Sequence, residues 1–124
     1  MIAYNQYIMN MFIEIGNCVI NTDEIKYVRS GEQSIQVILK NSQILNYCFD
    51  DCHVEFERIT SNIDSKTFIK IGNCIININE IKFVRFVEEL IQVSLKDGQV
   101  LNYRIECPFV DYDQIAMKIM TYKK

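Results

Sequence analysis

The chain has 124 residues, of which 49% are hydrophobic, and it carries a formal net charge of −3. This length and apolar content allow a folded core and argue against disorder, because disordered chains lack the apolar surface that offsets the entropy of ordering. The acidic balance gives no general attraction for a polyanion, so it disfavours nucleic acid as a partner.

No apolar run approaches the roughly 20 residues that a membrane-spanning helix needs. The start of the chain lacks the basic residues and the small-residue cleavage site of a secretory signal. We therefore expect a cytoplasmic protein without membrane contact. Five cysteines without a CxxC pair, together with a single histidine, predict reduced thiols rather than a metal site, and we expect no cofactor.

One sequence pattern occurs twice. Residues 12–47 match residues 68–103 without a gap, so residue n of the first copy corresponds to residue n + 56 of the second. A repeat of this period is one supersecondary unit used twice. We predict an N-terminal arm (1–11), repeat 1 (12–64) and repeat 2 (65–124). Units of this size are marginal alone, so the repeats should pack together and share a core.

Residues 1–11 lie outside the repeat and are rich in apolar and aromatic side chains. They suit an extra edge strand, an arm that packs on a neighbouring subunit, or a frayed leader. The arm is the interpretation that we favour.

Each repeat opens with a hairpin signal. A Gly-Asn pair, Gly16-Asn17 in the first copy, separates two β-type runs, and glycine takes the first positive-φ position of a tight turn without steric cost. A cluster of turn-forming residues at 21–24 follows. The run Ile25–Arg29 is then predicted as the next strand.

The last hairpin of each repeat has a register that the sequence determines. Apolar and polar residues alternate on both arms, and the two apolar sets face the same side only if the loop has an odd number of residues. A three-residue loop, Lys96–Gly98, pairs Val93 with Leu101 and Ile91 with Tyr103. Glycine suits the left-handed position of that bulged turn.

In the first copy Ser42 replaces this glycine, at a cost of about 1 kcal/mol, so its loop should be the looser one. The same register places Gln36 opposite Asn46, and Gln92 opposite Asn102, on the outward face. Such rows suit a solvated sheet surface with cross-strand hydrogen bonds. They also suit a polar recognition surface, and the sequence leaves both open.

A helix is predicted to close each repeat, because apolar residues recur at helical spacing over 54–63 and 112–120. The predicted fold class is α+β: a tandem duplication of a unit of four antiparallel strands plus a C-terminal helix. We expect the two units to be related by an approximate two-fold axis and to form one compact domain.

The sequence contains no persuasive catalytic pattern. The four glycines are dispersed and form no phosphate loop. His53 has no counterpart in the second copy, where Phe109 stands at its position, and nothing marks a nucleophile beside it. We therefore expect a non-enzymatic protein.

Polar and aromatic residues present in both copies form the candidate ligand-binding site. A two-fold seam would bring arginines, lysines and amides toward one pocket, and guanidinium groups bind anions bidentately while aromatic rings stack on bases. The predicted binding residues are Arg29, Arg85, Lys26, Lys82, Gln36, Gln92, Asn46, Asn102, Tyr47 and Tyr103.

The run NEIKFVR followed by LIQVSLKDGQVLNY resembles the strand core of LytTR-type DNA-binding domains, in which an I-x-Y/F-V strand precedes a strand-KDG-strand hairpin. The resemblance covers about 25 residues of each copy. It implies a nucleic-acid-binding regulator. The chain departs from that family because the basic, histidine-bearing segment that follows the hairpin there is absent here. Small strand-rich units of pleckstrin-homology type, which are binding platforms, share the pattern.

Three functions follow as hypotheses. Small size, duplication and a composition rich in Ile, Asn and Lys suit a phage-type inhibitor of host defence, which captures a protein partner or sequesters a small anionic ligand or nucleotide at the repeat or subunit interface. The LytTR-like regulator is the first alternative. An assembly module is the second, in which exposed strand edges build a homo-oligomer.

Overall fold

The computed structural model describes residues 12–104 and 108–122, so the predicted arm of residues 1–11 lies outside it. The first segment forms β1 (Phe12–Ile15), β2 (Cys18–Asn21), β3 (Ile25–Ser30), β4 (Ser34–Leu39), β5 (Ile44–Cys48) and α1 (Cys52–Asn62). The second forms β6 (Phe68–Ile71), β7 (Cys74–Asn77), β8 (Ile81–Val87), β9 (Leu90–Leu95), β10 (Val100–Arg104) and α2 (Pro108–Met120). One-turn 3-10 helices, Thr22–Glu24 and Ile78–Glu80, precede β3 and β8.

Within the residues that the structure describes, each segment has five strands rather than the predicted four. The difference arises at the Gly-Asn turns, where Gly16 and Gly72 have φ angles of 60° and 59°. This conformation reverses the chain within two residues, so both arms of the hairpin are separate strands, and three more strands follow. The predicted boundary between residues 64 and 65 falls in the link between α1 and β6.

The described strands form three antiparallel sheets. Their orders are β1-β2, β10-β9-β8 and β5-β4-β3-β7-β6. The five-stranded sheet joins the two segments, because β3 of the first pairs with β7 of the second: Tyr27 opposes Ile76, Val28 opposes Ile75 and Arg29 opposes Cys74. A continuous sheet thus runs from one repeat into the other.

The predicted two-fold relation between the repeats is not confirmed. An axis that paired β3 with β7 would also pair β8 with β2. Within the described residues, β2 pairs only with β1, and β8 pairs only with β9. The segments therefore follow one another head to tail, because one contributes its β3 edge and the other its β7 edge to the shared sheet.

The predicted register of the last hairpins is confirmed. Val93 opposes Leu101 and Ile91 opposes Tyr103. Leu95 N donates to Gln99 O at 2.8 Å, which encloses the three-residue loop 96–98. Gly98 has a φ of 95°, and Ser42 is forced into the same region with a φ of 74°.

The core has two parts on opposite faces of the shared sheet. The first joins the β1-β2 hairpin and α1 to one face and includes Ile15, Val37 and Ile59. The second joins the three-stranded sheet and α2 to the other face and includes Ile76, Val93 and Ile115. The shared sheet therefore lies between layers that come from different segments.

The helices cover the sheets with one apolar face each. Asp51 caps α1, since its Oδ1 accepts a hydrogen bond from Val54 N at 3.2 Å. Phe56 and Ile59 of α1 are buried in the first core. In the part of the chain that the structure describes, no helix is long and apolar enough to cross a membrane.

Candidate functional site

Two rows of polar side chains cross the larger sheets at repeat-equivalent positions. Directly opposed residues share a sheet face, so each row is a polar strip across three strands. The first polar row is Arg29, Gln36 and Asn46, and the second polar row is Arg85, Gln92 and Asn102. The predicted glutamine–asparagine pairings are confirmed, and the observed register adds an arginine to each row.

An open cavity of about 360 Å³ lies where the two segments meet, and we call it the seam cavity. It is lined by Arg29, Asn73, Cys74 and residues 99–103. Arg29 ends the first polar row and Asn102 ends the second. Each row therefore has one end at the seam cavity, and we call the two rows together the polar strip.

Aromatic and thiol groups surround Arg29 at the seam. Its guanidinium carbon lies 5.5 Å from the centroid of the Tyr27 ring. Cys74 lies opposite Arg29 in the shared sheet, and Tyr103 also borders the cavity. Burial raises the pKa of the Tyr103 phenol, and the neighbouring Cys74 thiol adds to this effect. The Tyr103 phenol therefore stays protonated at neutral pH, and its hydroxyl is buried at the seam near the Arg29 guanidinium.

Arg85 lies on the outer strand of the three-stranded sheet, outside the lining of the seam cavity. It is exposed, and its Nε donates to Gln92 Oε1 at 2.7 Å. The structure thus brings Arg29, Asn102 and Tyr103 together at the seam and leaves Arg85 and Gln92 on an outward face.

The two predicted lysines differ in environment. Lys26 is buried and forms an ion pair with Asp97 of the second segment. The hydrogen bond from Lys26 lowers the pKa of the Asp97 carboxyl. Lys82, its counterpart, is exposed on β8. Lys26 therefore links the two segments, while Lys82 is accessible to an external partner.

The predicted tyrosines pack over the Gly-Asn turns. A Cβ added to Gly16 would lie 2.6 Å from Tyr47 Cδ1, and one added to Gly72 would lie 3.0 Å from Tyr103 Cδ1. Both rings are half-buried. Burial, with a smaller effect of the Cys18 thiol, raises the pKa of Tyr47 to about 12. Tyr103 also borders the seam cavity, so its position serves both the turn and the candidate site.

Two polar residues at the seam were not among the predicted binding residues. Gln99 Nε2 donates to the Tyr27 hydroxyl at 2.9 Å. Asn73 Nδ2 donates to Ser30 O at 2.9 Å. The same residue types occur at the equivalent positions of the first copy, Gln43 and Asn17. Repetition alone therefore does not tell which copy faces the other segment.

The described residues offer hydrogen-bonding chemistry. Among them, no group of three or more His, Cys, Asp or Glu side chains is placed to hold a metal ion. His53 is exposed near the start of α1. Guanidinium and amide groups bind phosphates, carboxylates and base edges.

Comparison with known proteins gives one structural likeness. No protein-family model matches the sequence, and no curated protein matches it. The fold is similar to that of the LytTr DNA-binding domain of a Bacillus cereus response regulator, with a TM-score of 0.62 and 11% sequence identity over 90% of this chain and 95% of that chain. The likeness shows a shared fold. The phage-type inhibitor hypothesis gains no support.

Proposed function

We propose that this chain is a non-enzymatic nucleic-acid-binding protein of LytTR-like kind, and that the polar strip is its contact surface. The observation that carries the proposal is the likeness to the fold of a LytTr DNA-binding domain over 90% of the chain. The short sequence resemblance around Asn79–Tyr103, which falls on β8, β9 and β10 of this chain, supports it independently.

The outward face of the three-stranded sheet has suitable chemistry for this partner. Arg85, Gln92 and Asn102 lie in one row on this face, and Arg104 follows on the same side of β10. The strands β8, β9 and β10 contain no Asp or Glu. Arginine binds phosphate oxygens or the guanine edge, and amides bind the adenine edge. The surface therefore combines positive charge with groups that read bases.

The net charge of −3 predicts how such binding behaves. Without a general positive field, affinity depends on a few local arginines, so log affinity falls with log salt by only about 0.9 for each phosphate that they contact. Each phosphate contact that is lost lowers the slope of log affinity against log salt by about 1.

Fluorescence anisotropy with labelled duplex and single-stranded oligonucleotides, over a salt series, tests the proposal. We expect Arg85→Gln and Arg104→Gln each to weaken binding and to reduce the salt slope by about 1. Arg58→Gln is the matched control, since Arg58 lies on α1 and bonds to Glu55 and to the Glu14 carbonyl. Absence of binding to any probe at low salt would overturn the proposal.

A second candidate function is capture of a small anion in the seam cavity, which one observation favours. The cavity places Arg29 beside the amides of Asn73, Gln99 and Asn102, and its volume lies in the range of small-ligand sites. Calorimetry with nucleoside monophosphates is the test, supported by mass spectrometry of ligand released by heat. Arg29→Gln should abolish the heat of binding, and Arg85→Gln should retain it. Equal binding by the Arg29→Gln variant would contradict this candidate.

A further inference from the structure

The pairing of β3 with β7 supplies a template for joining one repeat to the next. Beyond the strand ladder, Ser30 N donates to Asn73 O at 2.8 Å. Asn77 Nδ2 donates to the Ile25 carbonyl at 2.9 Å in a buried position. The junction thus combines backbone pairing with asparagine side chains that bond to the facing backbone.

The counterparts of this junction are exposed at the two ends of the molecule. Val19 on β2 is 69% exposed, whereas its counterpart Ile75 on β7 is 1% exposed. Phe83 on β8 is 46% exposed, whereas its counterpart Tyr27 on β3 is 3% exposed. The two ends have apolar side chains in the pattern that the internal junction buries.

Neither end is paired in the described part of the chain. The edge of β2 that corresponds to the paired edge of β7 has no strand beside it there, and the same holds for the edge of β8 that corresponds to the paired edge of β3. Open edges with apolar side chains are templates for pairing with another chain. The described chain therefore carries the two complementary surfaces of one interface, one at the β2 end and the other at the β8 end.

We propose that a second copy of this chain docks its β2 edge on β8, head to tail, by the same geometry that joins β7 to β3. Shifting the observed register by the repeat gives the contacts: Phe83 opposes the second copy's Ile20, Val84 its Val19, and Arg85 its Cys18. Repetition within the chain is the reason to choose a second copy as the occupant.

The intermolecular junction keeps part of the internal one. The second copy's Asn21 stands at the position of Asn77, so it is placed to donate to the Ile81 carbonyl of the first copy. The intermolecular junction has no equivalent of the ion pair between Lys26 and Asp97. Their counterparts are Lys82 and the second copy's Asn41, which carries no charge. Self-association is therefore weaker than the internal junction, and it is reversible with concentration.

This contact is heterologous, since it joins two different surfaces. Such contacts form a ring when the rotation closes and a filament when it does not. The proposal is independent of nucleic-acid binding, because it rests on strand edges and repeat geometry alone. Association would also place the second polar row of one copy next to the first polar row of the next.

The test blocks one end at a time and uses sedimentation velocity over a concentration series. Lysine on an edge strand opposes pairing, so Val19→Lys removes the β2 end and Phe83→Lys removes the β8 end. Both positions are exposed, so each variant should fold, which circular dichroism checks. We expect the wild type to associate as concentration rises, and each variant alone to stay monomeric.

An equimolar mixture of the two variants should form a one-to-one heterodimer and nothing larger, because each retains one intact, complementary end. Ile44→Lys is the matched control: Ile44 is 57% exposed on β5, away from both ends, and this variant should associate like the wild type. A monomeric wild type, dimers of either blocked variant alone, or a monomeric Ile44→Lys variant would each overturn the proposal.

Discussion

Tyr27 and Phe83 occupy the same position in two copies of one sequence pattern, yet their exposed fractions are 3% and 46%. The strands around them have the same form, since β3 and β8 each contain an irregularity between corresponding residues, Ile25/Tyr27 and Ile81/Phe83. What differs is the neighbour: β7 lies beside β3, and no described strand lies beside that edge of β8. Burial here is a property of the junction rather than of the local sequence.

The largest difference should come from truncating two repeat-equivalent side chains, Ile75 on β7 and Val19 on β2. Ile75→Ala removes a buried side chain at the junction and should lower the free energy of unfolding by about 2–4 kcal/mol. Val19→Ala removes an exposed one and should change it by less than about 0.5 kcal/mol in dilute solution. Urea denaturation measures both. Equal losses would show that the two hairpins contribute alike and that the comparison is wrong.

A smaller effect should come from the ion pair that joins the segments. Asp97→Asn gives the loop between β9 and β10 the amide side chain that Asn41 has in the first copy. It leaves the buried Lys26 without its carboxylate partner. Because the Asp97 side chain is 41% exposed, we expect a loss of only about 1 kcal/mol at pH 7.

This difference should depend on pH. Folding lowers the pKa of Asp97 below its unfolded value of about 4, so the ionised carboxylate stabilises the fold. The wild-type advantage is therefore fully present above about pH 4 and is lost as pH falls through the lowered pKa. Unfolding free energies of both proteins from pH 7 to pH 2 provide the check, and an advantage that grows on acidification would refute the assignment.

The smallest effect should come from exchanging the turn residues at corresponding positions. Ser42 has a φ of 74° and Gly98 a φ of 95°, a region that favours glycine. Ser42→Gly should stabilise the protein, and Gly98→Ser should destabilise it, each by about 0.5–1 kcal/mol. A Cβ at Gly98 meets no atom within 4 Å, so the backbone alone accounts for the effect. Thermal unfolding measures both, and the same sign for both variants would contradict this account.

Local features of the fold were predictable because they depend on neighbours in the sequence. The Gly-Asn turn requires a positive φ at Gly16, and the alternation around Gln92 and Asn102 allows only an odd loop. The predicted total of four strands was wrong, although the two runs of the first hairpin, the run Ile25–Arg29 and the last hairpin together account for the five that form. The likeness to a LytTr fold was visible in about 25 residues of each copy, but its extent over the chain required coordinates.

The candidate site was only partly predictable. Gln36, Gln92, Asn46 and Asn102 follow from strand alternation, and the structure places each pair in one row with an arginine. Lys26 has the same sequence signal as Lys82, but the structure buries it against Asp97. Gln99 had no distinguishing signal, since its role depends on the Tyr27 hydroxyl of the other segment.

The sequence by itself determined the repeat, the turns, the hairpin registers and the apolar face of each strand, because these follow from residue spacing and backbone preference. Only the tertiary structure decided that β7 pairs with β3 while the corresponding edges of β2 and β8 stay open within the described residues. The two copies share most residues over 12–47 and 68–103 and carry similar local preferences, so the local pattern alone does not distinguish an inner junction from an outer end. That distinction arises from the order of the copies along one chain, which gives each segment a single neighbour.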